Sequence, residues 1–480
     1  MFASPLDEAK TLIIRGAFDP AIQRLSEFLN GEFYHEEALF MLGACLQAKG
    51  MNGLSAVVTS AAIDARATKG RTFPEALMNL GAAYKAEHKN DVAEKVWLDA
   101  LKHETLPKER AKILCNLAGL YTHEGSPARA IEYCNQALKE DPNNHGAHAN
   151  RGMASLELGR WADGWAGWSH TYATGDRQRR TYGEIPEWDG SPDKTVIVWG
   201  DQGIGDELFY ASCFKDMQRV CRKIILDCHP RLPALFQRSF PEIEVHGTRK
   251  DLTDLRWVPE CGAEASIAMA DLFGFFRNTD ESWGDGASYL KASGAVSRHE
   301  IRRGDGSPYI KAAAQPRMRI GLSWTGGSKR TRTDLRSLPV DALVPILRAR
   351  PDAAWFSLQY TPNAAREVCE LEERTGIRIS HYPGMVECYD YDQTAAFVAS
   401  LDLVITVPTT IHHLACALGV PTWTLVQSRP SWRYGITGAT RPWYASARLF
   451  RQEVDGDWAH PVRAVAEALS GACQREQAAA

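Results

Sequence analysis

Along the first 170 residues the apolar positions recur every three or four residues, and no stretch alternates apolar with polar. That spacing places one apolar stripe on each of a series of helices. From residue 194 the pattern changes. Thr195-Val196-Ile197-Val198-Trp199 is a β-branched run of strand length, Gly200 to Gly205 a loop, Asp206 to Val220 a helix, and Lys223-Ile224-Ile225-Leu226-Asp227 a second strand. After a polar, Gly- and Arg-rich stretch at 293–317 the pattern starts again at Arg319-Ile320-Gly321-Leu322-Ser323-Trp324. Further strands are predicted at Ala354–Leu358, Leu403–Val407 and Thr422–Val426. The strand–loop–helix–strand order predicts parallel sheets with right-handed crossovers, in two successive lobes.

Within the helical part the small residues repeat. Leu80-Gly81-Ala82-Ala83-Tyr84, Leu117-Ala118-Gly119-Leu120-Tyr121 and Leu42-Gly43-Ala44-Cys45-Leu46 are copies of one motif, and Gly125, Ala130, Ala137 and Pro142 complete the copy at 113–142. The turn positions are Gly16, Gly50, His88, Gly125 and Gly159, spaced 34, 38, 37 and 34 residues apart. These residues resemble the tetratricopeptide repeat, most closely at 113–142 and more loosely at 39–67 and 1–30. Such helix pairs cannot bury their apolar faces alone and must stack, which leaves a groove. The resemblance implies a docking surface for a peptide or protein; the plainer reading is that the repeats only support the α/β half of the chain. Trp161, Trp165 and Trp168, at i, i+4 and i+7 on the last helix, read as an aromatic cap toward the next domain rather than a ligand box. The expected organisation is a solenoid at 1–172, a linker at 173–193 (Asp176 to Arg180, then Pro186 to Pro192), a Rossmann-like lobe at 194–300, a connection at 301–317 and a second Rossmann-like lobe at 318–472.

Composition narrows the function classes. The chain has 480 residues, 44% apolar and 24% charged, with a net charge of −4, so neither disorder nor an electrostatic case for nucleic acid or anionic membrane arises. Eleven cysteines are scattered, with no CxxC pair, as reduced core thiols are. No apolar run approaches the ~20 residues of a spanning helix, and the first residues lack the marks of a signal peptide. A cytoplasmic protein is expected.

Four segments at strand ends carry candidate chemistry. Gly200-Asp201-Gln202-Gly203-Ile204-Gly205-Asp206-Glu207 is a Gly-rich turn opening a helix; Asp206 is either a helix cap or a general base. Ser323-Trp324-Thr325-Gly326-Gly327-Ser328-Lys329-Arg330 has the hydroxyls, glycines and cations that a diphosphate demands, without the order of a Walker motif. Thr409, Thr410 and His413 sit on the start of a helix after Val407-Pro408, where free N–H groups favour phosphate. His412 and His413 are neighbours and point about 100° apart, so they are no metal pair. Arg429-Pro430-Ser431-Trp432-Arg433-Tyr434-Gly435 is an aromatic and basic loop, suited to a base or sugar or simply to packing. Asp390-Tyr391-Asp392 has the form of a metal-binding DxD but stands before a helix, where capping accounts for it better.

Gly205-Asp206, Ser323 to Lys329, and Thr409-Thr410 with His413 and Ala417 together resemble the bacterial ADP-heptose:lipopolysaccharide heptosyltransferase superfamily of GT-B glycosyltransferases, and most of all its tetratricopeptide-fused relatives, some of which modify flagellin. The likeness covers roughly 195–470. It implies Asp206 as catalytic base and Ser323, Thr325, Lys329, Thr409, Thr410 and His413 as donor contacts. Gln202, Gly205, Glu207, Trp432 and Arg433 are further candidate contacts of donor or acceptor. Pro408 and Thr410 stand where the family has Asp and Gly, so ADP-heptose is not implied as donor.

The expectation is an α solenoid followed by an α/β GT-B enzyme that transfers a sugar from a nucleotide-sugar to a hydroxyl, inverting, without metal or other cofactor, on a protein recruited by the repeats, flagellin being one candidate. The alternative is a non-catalytic scaffold with a vestigial nucleotide-binding module. A dehydrogenase is disfavoured, since GxGxxG is absent and only Asp227 ends the second strand with an acid.

Overall fold

The computed structural model describes residues 4–249, 254–294, 318–327, 333–381 and 390–479. The chain divides into two compact units, Met1–Ser155 and Leu156–Ala480. The first unit is helical: α1 Pro5–Ile14, α2 Phe18–Gly31, α3 Glu36–Ala48, α4 Asn52–Ala67, α5 Pro74–Ala86, α6 Asn90–His103, α7 Pro107–His123 and α8 Pro127–Glu140, with α9 His145–Glu157 running into the second unit. Within each pair, α1–α2 through α7–α8, one turn is used four times. Its pivot is Gly16, Gly50, His88 or Gly125, each with φ between 59° and 75°. The residue after the pivot donates back to the last helical turn: Ala17 to Leu12 O, Met51 to Leu46 O, Lys89 to Tyr84 O and Ser126 to Tyr121 O, each at 2.9 Å. This left-handed cap satisfies carbonyls the helix end would leave open. His88 holds the same conformation as the glycines, which is why the period of the repeat passes through a histidine.

The small residues of the repeat lie where paired helices touch. A β-carbon on Gly81 of α5 would fall 2.3 Å from Trp97 Nε1 of α6. Trp97 cannot yield: it is 1% exposed and its indole N–H donates to Met78 O at 2.9 Å. At Gly43 the obstacle would be Thr59 Oγ1 at 2.2 Å.

The second unit opens with the end of α9 and α10 (Trp161–Trp168) and contains two parallel sheets. The first has β1 Thr195–Trp199, β2 Lys223–Asp227, β3 Glu244–His246 and β4 Ala265–Ala268 in the order β3-β2-β1-β4. The second has β5 Arg319–Ser323, β6 Ala354–Ser357, β7 Ile379–His381, β8 Leu403–Thr406, β9 Thr422–Val426 and β10 Ala447–Arg451 in the order β10-β9-β8-β5-β6-β7. In each sheet the first strand is internal, so successive connections leave β1 and β5 in opposite directions and open a crevice at their carboxyl ends. β3, β4 and β7 are three or four residues long with no β-branched run, too little for the apolar pattern to announce. The helix expected from Asp206 to Val220 instead starts at Ile204 and breaks after Tyr210 into a 3₁₀ turn and a short helix, Phe214–Met217. There Arg277 Nη2 donates to Ser212 O at 2.9 Å.

Residues 173–193, expected as a linker, are fastened to the first sheet. Trp188 N donates to Ser266 O and Ser266 N to Pro186 O, adding a parallel bridge to the free edge of β4. Arg177, with its side chain 4% exposed, holds Asp201 beyond β1 at 2.7 Å and Asp271 beyond β4 at 2.6 Å. Arg180 and Tyr182 reach Asp227 at the end of β2, at 3.0 and 2.7 Å. The three tryptophans of α10 pack in the same unit: Trp161 Nε1 donates to Asp280 and Trp165 Nε1 to Arg277 O, both at 2.7 Å. The expected connection 301–317 lies outside the described residues.

Gly81→Ala is expected to destabilise the first unit by about 1–3 kcal/mol, the usual cost of overpacking, read as a lowered Tm in far-ultraviolet circular dichroism; an unchanged Tm would mean the α5–α6 contact is looser than its geometry.

Candidate functional site

The carboxyl ends of the two sheets face each other across a cleft of about 520 Å³. The first sheet contributes Gly203, Gly205 and Asp206 from the turn after β1. The second contributes Gly327 and Arg336 after β5, Tyr360 after β6, Pro408, Thr409, Thr410 and His413 after β8, and Gln427, Arg429, Ser431, Arg433 and Tyr434 after β9. The walls approach closely at Gly205, where an added β-carbon would meet Thr410 Cα at 3.2 Å and His413 Cδ2 at 3.3 Å.

Asp206 stands in the first turn of the helix Ile204–Tyr210, whose N-cap is Gly203. Its Oδ2 accepts from Gly203 N at 2.9 Å, the backward bond of a capping box. Its Oδ1 meets Arg433 Nη2 at 2.7 Å across the cleft. Each oxygen keeps a lone pair beyond these bonds, so the carboxylate is held in place and can still receive a proton. Arg433 also donates to Tyr210 Oη at 2.8 Å and Gln202 Oε1 at 3.3 Å. Gln202 itself has φ 63° and gives its carbonyl to Arg249.

The helix Thr410–Ala417 begins at the cleft with Thr409 as N-cap, and no side chain caps it. Thr409 Oγ1 turns to Thr406 Oγ1 at 3.3 Å. The first-turn N–H groups and the helix dipole therefore face the cavity, an arrangement suited to an anion. His413 is buried, with Nδ1 on Tyr444 Oη at 3.1 Å. Burial, then His412, Arg433 and Arg336, hold its pKa well below the usual value, so it serves the cleft as a neutral imidazole. His412 turns away to Thr424 Oγ1 at 2.8 Å. Arg336 and Arg429 bring further positive charge to the cavity.

Of the residues expected from sequence, the cleft brings together Gly205, Asp206, Thr409, Thr410, His413 and Arg433, with Gln202 bonded to Arg433. Others are placed elsewhere. Ser323 is 2% exposed, its hydroxyl 3.4 Å from Gln359 Oε1. Thr325 gives its N–H to the same Gln359 oxygen at 3.2 Å and its hydroxyl to Ser337. Glu207 is wholly buried beneath the turn, accepting from His229 N at 2.9 Å and pairing with Arg249. Trp432 is 1% exposed, its ring 5.3 Å from Trp165 and 5.7 Å from Phe209, behind the loop rather than in the cavity. Lys329 lies outside the described residues. Asp390 caps the helix Tyr391–Ala399 by accepting from Asp392 N at 2.9 Å, and Asp392 pairs with Arg238. Among the described residues no group of three or more His, Cys, Asp and Glu side chains could hold a metal ion. Asp227, fully buried and taken by Arg180, Tyr182 and Thr248, is closed to a ribose. Sequence reasoning missed Tyr360 and Gln427 as lining residues; both stand just past strand ends, where a parallel fold binds its ligands.

A tetratricopeptide repeat followed by a parallel α/β unit is thus the class to which the structure assigns the chain. The tetratricopeptide repeat family model matches residues 111–144. The chain is 26% identical to Protein FlbA of Caulobacter vibrioides over 336 residues, 66% of this chain and 54% of that one. That stretch is longer than the first unit, so the similarity extends into the α/β unit. It is 36% identical over 80 residues to photosystem I assembly protein Ycf3 of a Synechococcus species, covering 16% of this chain and 46% of that one. The chain thus spans about half the length of each of these two relatives. Among solved structures, Pseudomonas aeruginosa pilF aligns at 16% identity, with a TM-score of 0.34, over 49% of this chain and 90% of that one. No helix among the described residues is long and apolar enough to cross a membrane.

Burial pushes the Glu207 carboxyl up to about 7, against the pull of Arg249. A folded-state pKa above the unfolded one contributes stability that is full in acid and lost as pH rises through about 7. The Tm of Glu207→Gln is therefore expected to gain on that of the wild type between pH 5 and 8; parallel Tm profiles would show that Glu207 does not titrate there.

Proposed function

We propose that the second unit is a GT-B glycosyltransferase and that the repeats hold its acceptor, a protein. What carries the reading is one arrangement: a fixed carboxylate, Asp206, and an anion-suited wall, the helix start at Thr410 with Arg336 and Arg429, on opposite sides of one cleft. In this reading Asp206 takes the proton of an acceptor hydroxyl, whose oxygen attacks the anomeric carbon from the face opposite the nucleotide. The bond from that carbon to the phosphate oxygen breaks, inverting the centre, and the nucleoside diphosphate leaves with the electron pair. Its charge is met by groups fixed beforehand, the helix N–H groups and the arginines, so no metal is required of the site. Arg433, held by Tyr210 and Trp432, keeps Asp206 from turning into the wall. The similarity to Protein FlbA, which extends beyond the repeats, supports reading both units as one protein's working parts; flagellin is a candidate acceptor on the family resemblance alone. Exposed Phe33, Tyr34, Leu54 and Val57 offer apolar contact for such an acceptor on the repeats. Buried cysteines fit the reducing cytoplasm as its setting.

The competing reading, a scaffold with a vestigial nucleotide module, draws on the Asp206 contacts themselves: a helix-start bond and an ion pair are also what a structural aspartate makes. Two measurements separate them. In a thermal-shift titration with ADP, UDP, GDP, CDP and CMP, one nucleotide is expected to raise the Tm saturably, and no shift with any of them favours the scaffold. Asp206→Asn is then expected to keep that shift while release of the nucleotide from its sugar conjugates falls about 10²–10⁴-fold, as for a lost general base. Unchanged release would remove Asp206 from the chemistry.

A further inference from the structure

The carboxamide of Gln427 takes no part in the roles assigned so far. Gln427 follows β9 directly, lines the cleft and is 7% exposed, yet its Oε1 is buried without a hydrogen-bond partner. Among the described residues that line the cleft, it is the one buried acceptor left so. Buried side-chain acceptors are rarely unpaired, and those that are call for a reason. Its lateral neighbour Gln452, beyond β10, gives its Oε1 to Ser428 N at 3.1 Å and keeps a buried Nε2 that makes no hydrogen bond to Gln427, and Ser428 Oγ donates to Asp455 at 2.7 Å.

Strand order fixes where Gln427 stands. β9 runs beside β8, with Thr424 level with Thr406, so the residue after β9 lies beside Pro408 and Thr409 at the foot of the helix Thr410–Ala417. It shares that side with Arg433 and Asp206, whereas Gly327 and Tyr360 lie beyond β5, on the other. Phosphate oxygens only accept hydrogen bonds, so a diphosphate at the helix start leaves the Gln427 oxygen unpaired; a hydroxyl can pair it. We infer that Gln427 accepts a hydrogen bond from a hydroxyl of the donor's glycosyl group and so helps to choose the sugar. This rests on the nucleotide-sugar reading above. The attacked carbon must lie within reach of an acceptor oxygen held at Asp206. The glycosyl ring therefore occupies the Asp206–Arg433 side, and the nucleoside the Tyr360 side.

The test is calorimetric titration of the full chain, wild type and Gln427→Leu, with matched pairs: ADP and ADP-glucose, UDP and UDP-glucose, UDP and UDP-N-acetylglucosamine, GDP and GDP-mannose. For the pair that binds, Gln427→Leu is expected to weaken the sugar conjugate about tenfold, the worth of one hydrogen bond, and to leave the free diphosphate unchanged. Gln427→Glu, which keeps an acceptor, is expected to restore part of the loss. Free Gln427→Leu should melt no lower than the wild type, since an apolar side chain of similar shape replaces a carboxamide whose buried oxygen is unpaired. Equal weakening of conjugate and diphosphate overturns the inference, because the amide then serves the shared nucleotide part. No weakening of either overturns it as well. If the wild type binds no member of any pair, the donor reading itself falls, an outcome distinct from both.

Discussion

A β-carbon on Gly205 would lie 3.2 Å from the Cα of Thr410 and 3.3 Å from the His413 ring, so the two helix starts meet only because position 205 has no side chain. The rest of the cleft depends on that approach. It brings the first turn of the helix Ile204–Tyr210 over the first turn of Thr410–Ala417, so that one start presents a carboxylate and the other presents open N–H groups. It also sets Asp206 within reach of Arg433. A lone aspartate so close to a helix start would be drawn to its N–H groups. The arginine, itself fixed by Tyr210, gives the carboxylate a second anchor and leaves the helix free for another anion.

Support behind the cleft is aromatic on one side and ionic on the other. Trp432 and Arg433 are adjacent in sequence and divide the work: the indole is sunk among Trp165, Phe209 and Trp443, while the guanidinium faces the cavity. Below the Gly-rich turn, Arg177 binds Asp201 and Asp271, Arg180 binds Asp227, and Arg249 binds Glu207. Buried ion pairs of this kind add little net stability, but removal of either partner strands a charge. They tie segments far apart in sequence to the ends of β1, β2 and β4, which is what a turn rich in glycine needs in order to keep one shape.

Much of this was legible in the residues. The pivots of the helical repeat were marked by spacing alone, His88 included, because the left-handed turn recurs at a fixed interval whatever residue fills it. β1, β2 and β9 were announced by β-branched runs; β3, β4 and β7 were not, being too short to carry a pattern. In the cleft, Asp206, Thr409, Thr410, His413 and Arg433 were visible as polar residues at strand ends. Ser323 and Thr325 were equally visible and went elsewhere, because Gln359, a neighbour only in space, takes the β5 loop for itself. Trp432 could not be assigned from sequence, since a ring on a basic loop looks the same whether it faces ligand or core. The grip of Arg177 and Arg180 was unreadable for the same reason: their acidic partners lie 24 to 94 residues away.

The tryptophans of α10 bear on how such a protein can be taken apart. The apolar pattern draws its seam after residue 172, yet Trp161, Trp165 and Trp168 pack in the α/β unit, where Trp161 bonds Asp280 and Trp165 bonds Arg277. A fragment begun at that seam would lose three indoles and bare Phe273, Trp283, Trp432 and Trp443 to water. The two compact units divide upstream of it, between Ser155 and Leu156, so any exchange of one helical array for another has to leave α10 behind with the sheets it covers.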